Sequence, residues 1–297
     1  MTTPHYSPEA LARLEPSKDY FIGIDSDGCV FDTMELKQKE CFAPNTIRIF
    51  GLQSISKYAR EAIEFVNLYS RWRGTNRFPA LVKAMDLLAE RPEVRGRGFA
   101  PPRLESLRAW IAETPSQSNI TLQQKIDATG DEELIRVMEW SLTVNRVIEQ
   151  MVVGVGPFPF VVECLERASG RADMICVSQT PAEALEREWR EHGLDRYVRL
   201  IAGQEHGAKG EHLELAAGGG KYPRERKLMI GDALGDLKAA RQADTLFHPI
   251  EPGAEEASWQ RLAGEGLDRF FAGTFAGDYE EGLTERFMGL LPETPDW

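Results

Sequence analysis

The spacing of apolar and polar positions divides the chain into three stretches. Residues 1–19 carry Pro4, Pro8 and Pro16, which predict an arm with a short helix. Phe21, Ile22 and Ile24 then form a short apolar run around Gly23 that breaks off at Asp25-Ser26-Asp27-Gly28, a buried strand running into a turn. From 33 to 153 the spacing is helical, with no strand. In 54–72, Ile55, Tyr58, Ala59, Ala62, Val66 and Tyr69 share one helical face. Pro79 suits the first turn of a helix reaching Glu90, with Leu81, Val82, Met85 and Leu88 inward. Pro102 opens another with Leu104, Leu107, Trp110 and Ile111. Asp131 begins the longest, with Leu134, Val137, Met138, Leu142 and Ile148 in one stripe. The stretches 91–102 and 114–119 are expected to be loops.

After Val153 the period changes again. Helices are predicted over 159–168, from Pro181 to Gly193, and over 207–217 and 235–243. Strands are predicted over 174–177, 197–202, 227–230 and 245–250. Two helices near 254–264 and 277–291 finish the chain. Such alternation calls for a parallel sheet covered by helices on both faces, an α/β fold. The expected domains are an α/β core from 1–32 with 154–297 and an all-helical domain from 33–153 inserted into it. Trp259, Phe270, Phe271, Phe275, Tyr279 and Phe287 read as helical residues packing on the core.

Composition narrows the function. A chain of 297 residues with 42% hydrophobic and 28% charged residues is that of a globular protein with a sizeable core. A net charge of −12 argues against nucleic acid or an anionic membrane as partner. An anionic substrate would therefore need locally supplied positive charge. Neither a signal-peptide core at the start nor an apolar run of membrane-spanning length is found. Cys29, Cys41, Cys164 and Cys176 are scattered without a C-x-x-C pair, so free thiols and a cytoplasmic setting are expected.

The candidate chemistry collects at predicted strand ends. Asp25 and Asp27 follow the first strand, Ser178 and Gln179 the second, and Gly231-Asp232, with Asp236 four residues on, a later one. Lys209 enters with the helix before that last strand. Carboxyl ends of parallel strands share one edge, where open α/β sheets bind ligands. Several carboxylates together make an oxygen-rich site suited to Mg²⁺, and a hydroxyl and an ammonium beside them suit phosphoryl oxygens. Taken alone, the first segment is equally a strand ending in an Asp/Gly turn.

With these residues in place, the chain resembles the haloacid dehalogenase (HAD) superfamily. The resemblance rests on Asp25-Ser26-Asp27-Gly28-Cys29-Val30, Ser178, Lys209 and Gly231-Asp232-Ala233-Leu234-Gly235-Asp236, and spans nearly 20–250. Cys29 departs from the Thr often found there. The resemblance implies a three-layer α/β/α Rossmann-like core with a helical cap. It also implies a Mg²⁺-dependent phosphohydrolase acting on a small phosphorylated metabolite through an aspartyl-phosphate. Asp25 would be the nucleophile and Asp27 the acid and base. Asp25, the Asp27 carbonyl and Asp232 would hold the metal, and Asp236 would support the metal or orient Lys209. Gly28, Ser178, Gln179 and Lys209 would bind the phosphoryl group. Relatives that cleave carbon–halogen or carbon–phosphorus bonds lack an acid at the Asp27 position, so phosphate esters are favoured.

Within the helical insert, Arg71, Arg73 and Arg77 surround Gly74 and are candidates for an anionic part of the substrate. A phosphomutase would use the same motifs. A non-enzymatic phospho-acceptor module also gathers acids, a hydroxyl and a Lys, but there the Lys follows the hydroxyl on the last strand. Glu205, His206, Glu211 and His212 lack zinc-site spacing, and Gly154-x-Gly156 lacks a third Gly in step for a dinucleotide fingerprint. Neither the ester nor the oligomeric state is legible in the sequence.

Overall fold

The structure, a computed structural model, describes residues 7–297. Pro4 of the expected arm lies outside the described residues, and Pro8–Ala12 form the arm's short helix. The chain divides into two units, 7–32 with 154–291 and 33–153 with 292–297.

The first unit is built on five parallel strands: β1 (Tyr20–Ile24), β2 (Ala172–Val177), β3 (Leu200–Ala202), β4 (Lys227–Gly231) and β5 (Leu246–Pro249). Their order is β3-β2-β1-β4-β5. β1 is central, with Ile24 opposite Cys176 on one side and Ile230 on the other. Every β1 residue is buried, because helices cover both faces. Successive side chains therefore feed different cores. Ile22, Ile24, Met174, Cys176, Leu228 and Ile230 pack with Leu185, Trp189 and Trp259 on one face. Phe21, Ile175, Val177, Met229 and Phe247 pack with Leu213, Leu237 and Phe287 on the other. Gly23 leaves that second face room for Leu213, whose Cδ2 would stand 2.6 Å from a Cβ placed there. The two halves of the sheet meet between β1 and β4, the switch point at which such sheets bind ligands.

The element pattern follows the expected alternation, with shorter ends. The strand expected over 197–202 is confined to Leu200–Ala202, because Asp195–Tyr197 close a 3₁₀ turn ahead of it. The C-terminal aromatic stretch runs as Glu255–Arg261, a π turn Leu262–Gly266 and Leu267–Ala272, followed by Asp278–Gly289. Trp259, Phe270, Phe275 and Phe287 are fully buried, and Trp259 Nε1 donates to the Cys29 carbonyl at 2.8 Å.

The second unit is all helical, with principal helices Ser56–Leu68, Arg77–Glu90, Glu105–Glu113, Asn119–Thr129 and Glu132–Met151. Its core centres on Phe78, edge-on to Trp110 at 5.1 Å and to Trp140 at 6.3 Å. Two expectations are corrected here, and one helix was not expected. The helix expected over 54–72 ends at Leu68, where the Arg73 guanidinium takes the Leu68 carbonyl at 3.1 Å, and Tyr69 turns outward to donate to Glu35 at 2.6 Å. Leu142 is 48% exposed rather than inward. The loop at 114–119 leads into a helix that periodicity missed: Leu122 is its one buried residue, and a Ser118/Thr121 capping box starts it.

A third correction concerns the last six residues, expected with the sheet. They belong with the helices: Arg71 N donates to the Pro292 carbonyl at 3.2 Å and its guanidinium pairs with Glu293 at 2.7 Å. Trp297 packs edge-on to Phe65 at 5.5 Å and under the Arg91 guanidinium at 4.4 Å.

Candidate active site

β1 ends by handing its hydrogen bonding to β4. Asp25 N donates to the Ile230 carbonyl at 2.9 Å, which holds the Asp25 side chain beside the end of β4. The next residues close a tight loop: the amides of Cys29, Val30 and Phe31 all donate to the Ser26 carbonyl. Gly28 supplies the left-handed turn this requires, with φ of 75°, and its own amide donates to the Phe31 carbonyl at 2.9 Å. The Ser26 hydroxyl is held from behind by Trp189 Nε1 at 3.0 Å.

At the end of β4, Gly231 lets the chain pass directly over Asp236, whose Cβ would stand 2.4 Å from a Cβ placed on that glycine. Asp236 Oδ2 accepts from the amides of Asp232 and Ala233 at 3.2 and 3.0 Å, capping the helix Leu234–Gln242. Its Oδ1 accepts from Lys209 Nζ at 2.7 Å. Lys209 reaches from the first turn of the helix Lys209–Ala217 and also pairs with Asp25 Oδ2 at 2.8 Å.

Asp25, Asp232 and Asp236 are all buried, and one carboxylate oxygen from each lies within 4.8 Å of the other two. Burial, with the charges of Asp236 and Asp232 added, pushes the Asp25 carboxyl well above the usual carboxylate range against the pull of Lys209. Burial works against the Lys209 ammonium too, but Asp236 and Asp25 outweigh it and hold its proton more tightly than usual. Three carboxylates and one ammonium leave two formal negative charges away from water. An all-oxygen donor set with that deficit fits a hard divalent cation such as Mg²⁺.

Strand β2 brings the hydroxyls. Ser178 is buried at its carboxyl end, and its Oγ accepts from Thr180 N at 3.2 Å. Thr180 Oγ1 donates to Asp27 Oδ2 at 3.0 Å. Thr180 and Trp189 are not among the residues expected at the site from sequence. Thr180 has a sequence signal, since it sits two residues beyond Ser178 at the carboxyl end of β2. Trp189 carried no such signal; its role comes only from the packing of the helix Ala182–Glu191 against the Asp25 loop.

Of the predicted site residues, the fold brings Asp25, Lys209, Asp232 and Asp236 into one cluster and links Asp27 to the end of β2 through Thr180. Gln179 is exposed, and its side-chain amide donates to the Gly207 carbonyl at 2.9 Å. The three arginines are held within the helical unit: Arg71 by Glu293, Arg73 by the Leu68 carbonyl, and Arg77 by Ser141 and Asn145. His206 and His212, which lack zinc-site spacing, are buried side by side, with ring centroids 6.1 Å apart.

No family model matches the chain, and no curated protein matches it. Solved structures do. A haloacid dehalogenase-like family hydrolase from Streptococcus pneumoniae is 16% identical, with 84% of this chain and 98% of that one covered and a TM-score of 0.47. A predicted phosphoglycolate phosphatase from Haemophilus somnus is 16% identical over 78% and 85% of the two chains, at a TM-score of 0.42. A haloacid dehalogenase-like family hydrolase from Xanthomonas campestris is 11% identical over 86% and 97%, at a TM-score of 0.40.

Proposed function

We propose that this chain is a phosphohydrolase of the haloacid dehalogenase superfamily, hydrolysing a phosphate monoester of a small molecule at the carboxyl edge of its sheet. The observation that carries this reading is Lys209 spanning Asp25 and Asp236 at 2.8 and 2.7 Å inside a buried set of three carboxylates. A carboxylate nucleophile facing a phosphate dianion needs positive charge around both, and that cluster is arranged to gather it.

Asp25 and Asp232, with the Asp27 backbone carbonyl, would hold Mg²⁺. When bound, the ion supplies charge neutralisation for the nucleophile and the phosphoryl oxygens. Both oxygens of Asp236 are already taken up by Lys209 and two amides, so Asp236 serves to aim Lys209 rather than to bind the ion. The Asp25 carboxylate attacks phosphorus and the ester P–O bond breaks. The leaving oxygen takes its proton from the Asp27 carboxyl. Asp27, now a carboxylate, accepts a proton from water as that water attacks the aspartyl-phosphate. Orthophosphate leaves and Asp25 is restored. The Ser178 hydroxyl and Lys209 bind phosphoryl oxygens throughout. The acid at position 27 is what favours an oxygen leaving group over a halide, which needs no proton.

A phosphatase screen on a panel of small phosphate esters tests the reading. Release of orthophosphate should require Mg²⁺, stop with EDTA and return when Mg²⁺ is added back. Isomerised phosphate esters without orthophosphate release would instead indicate a mutase. Turnover unaffected by EDTA would refute the metal assignment.

A further inference from the structure

The loop that follows β2 is fastened on both sides of Thr180. Thr180 N donates to Ser178 Oγ at 3.2 Å, and the Thr180 carbonyl accepts from Gln204 N at 3.1 Å. Pro181 comes next and disfavours helical backbone at Thr180. The helix Ala182–Glu191 then begins, and its first amide donates across to Glu205 Oε2 at 3.0 Å. Gly203 permits this approach: a Cβ there would stand 2.4 Å from Ala182 N and 2.6 Å from the Thr180 carbonyl oxygen. Gln179 adds a further tie through its side-chain amide, which donates to the Gly207 carbonyl at 2.9 Å. The loop after β2 is thus sewn to the loop after β3, the same loop that leads into Lys209.

With its amide and carbonyl both engaged, Thr180 presents its hydroxyl from a fixed backbone. Oγ1 donates to Asp27 Oδ2 at 3.0 Å, reaching a residue 153 positions earlier in the chain. Asp27 is half-buried, so packing alone does not fix its carboxyl group. Holding Oδ2 sets the rotation of that group about the Cβ–Cγ bond, and with it the direction in which the other oxygen faces. The chemical type of the partner matters as well. An ammonium at this place would favour the ionised carboxylate and spoil Asp27 as an acid. A neutral hydroxyl donates to a carboxylate and also to the carbonyl oxygen of a carboxylic acid, so it can stay attached through both protonation states.

We propose that Thr180 is the positioning residue for Asp27. It aims the carboxyl group at the ester oxygen when Asp27 gives up its proton, and at the attacking water when Asp27 takes one back. This role rests on the phosphohydrolase reading.

The test compares Thr180→Val, which replaces the hydroxyl by a methyl group, with Thr180→Ser, which keeps it. On an alkyl phosphate with Mg²⁺, Thr180→Val should lower kcat about ten- to a hundredfold, the loss expected when a reacting group is misaimed. KM should stay within about twofold, because the group being aimed acts in the chemical steps. Thr180→Ser should recover most of the lost kcat. In an Asp27→Asn background, Thr180→Val should cost less than about twofold more, since the proton it helped to place is gone. With an aryl phosphate, the phenolate burst should persist in Thr180→Val while the steady phase slows. If Thr180→Val shows no cooperative urea transition, Thr180→Ala makes the same comparisons. A loss of equal size with and without Asp27, or a loss confined to KM, would overturn the role and leave Thr180 as a residue of the loop alone. Wild-type kcat in Thr180→Val would overturn it outright while the phosphohydrolase reading stands. A wild-type chain that releases no orthophosphate from any ester would refute that reading, and this role with it.

Discussion

Asp25 and Asp27 are two residues apart, yet their surroundings separate them. Asp25 is buried against Lys209, whereas Asp27 is half-buried and holds a hydroxyl partner in Thr180. That difference is what two-step phosphoryl transfer asks of a nucleophile and an acid–base pair. Asp27→Asn should lower kcat for an alkyl phosphate by about 10²–10⁴-fold. With an aryl phosphate, whose leaving group needs no proton, the first step should survive, and stopped-flow should record a burst of phenolate followed by slow turnover. Equal losses on both substrates, with no burst, would remove Asp27 from the acid role. At this scale the gathering of Asp25, Lys209, Asp232 and Asp236 was legible in the sequence, because strand ends and Asp-Gly turns announce themselves locally. What was not legible was partner choice. Nothing in the string says that Thr180 points to Asp27, or that the Gly28 amide is taken by Phe31.

At the scale of elements, the β4 end and the helix after it act as one device. Gly231 passes within 2.4 Å of Asp236 by the position its missing Cβ would take, and Asp236 both caps the helix and receives Lys209. Gly231→Ala should therefore cost about 1–3 kcal/mol in urea unfolding and also reduce kcat, since moving Asp236 moves Lys209. A variant with normal stability and normal kcat would show that the close approach does not matter. The alternation of helix and strand after residue 153 was readable because both-face burial leaves continuous apolar runs, as in Met174-Ile175-Cys176-Val177. The helix Asn119–Thr129 was not, because one buried residue leaves no periodic stripe to read. Helix ends were equally hidden where a side chain just beyond the helix sets them, as Arg73 does at Leu68.

Across the whole molecule, stability should carry the signature of two buried imidazoles. Burial pushes His212 down to about 4. It also pushes His248 down to about 3, helped by Arg261 and Arg286. The unfolded chain takes up protons at these groups near pH 6.5, whereas the folded chain does not until far lower. Their contribution is therefore complete above pH 6.5 and is lost as the pH falls towards 4, at about 1.4 kcal/mol per pH unit for each group. The urea midpoint should drop steeply between pH 6.5 and 5; an unchanged midpoint over that interval would mean that the folded chain takes up protons at these rings as readily as the unfolded one. The division into two units was readable from the change of period at 33 and 153. The return of 292–297 to the helices was not, because it depends on Trp297 meeting Phe65 and Arg91 far away in the chain.

The claim beneath all of this is that Asp25 forms a bond to phosphorus. Rapid acid quench of the enzyme with Mg²⁺ and a ³²P-labelled phosphate ester, followed by peptide mapping, measures it directly. The account predicts label on the peptide containing Asp25, stable in acid and released by hydroxylamine, and none in Asp25→Asn, which should also be inactive. Label on another residue, or steady turnover by Asp25→Asn, would contradict it.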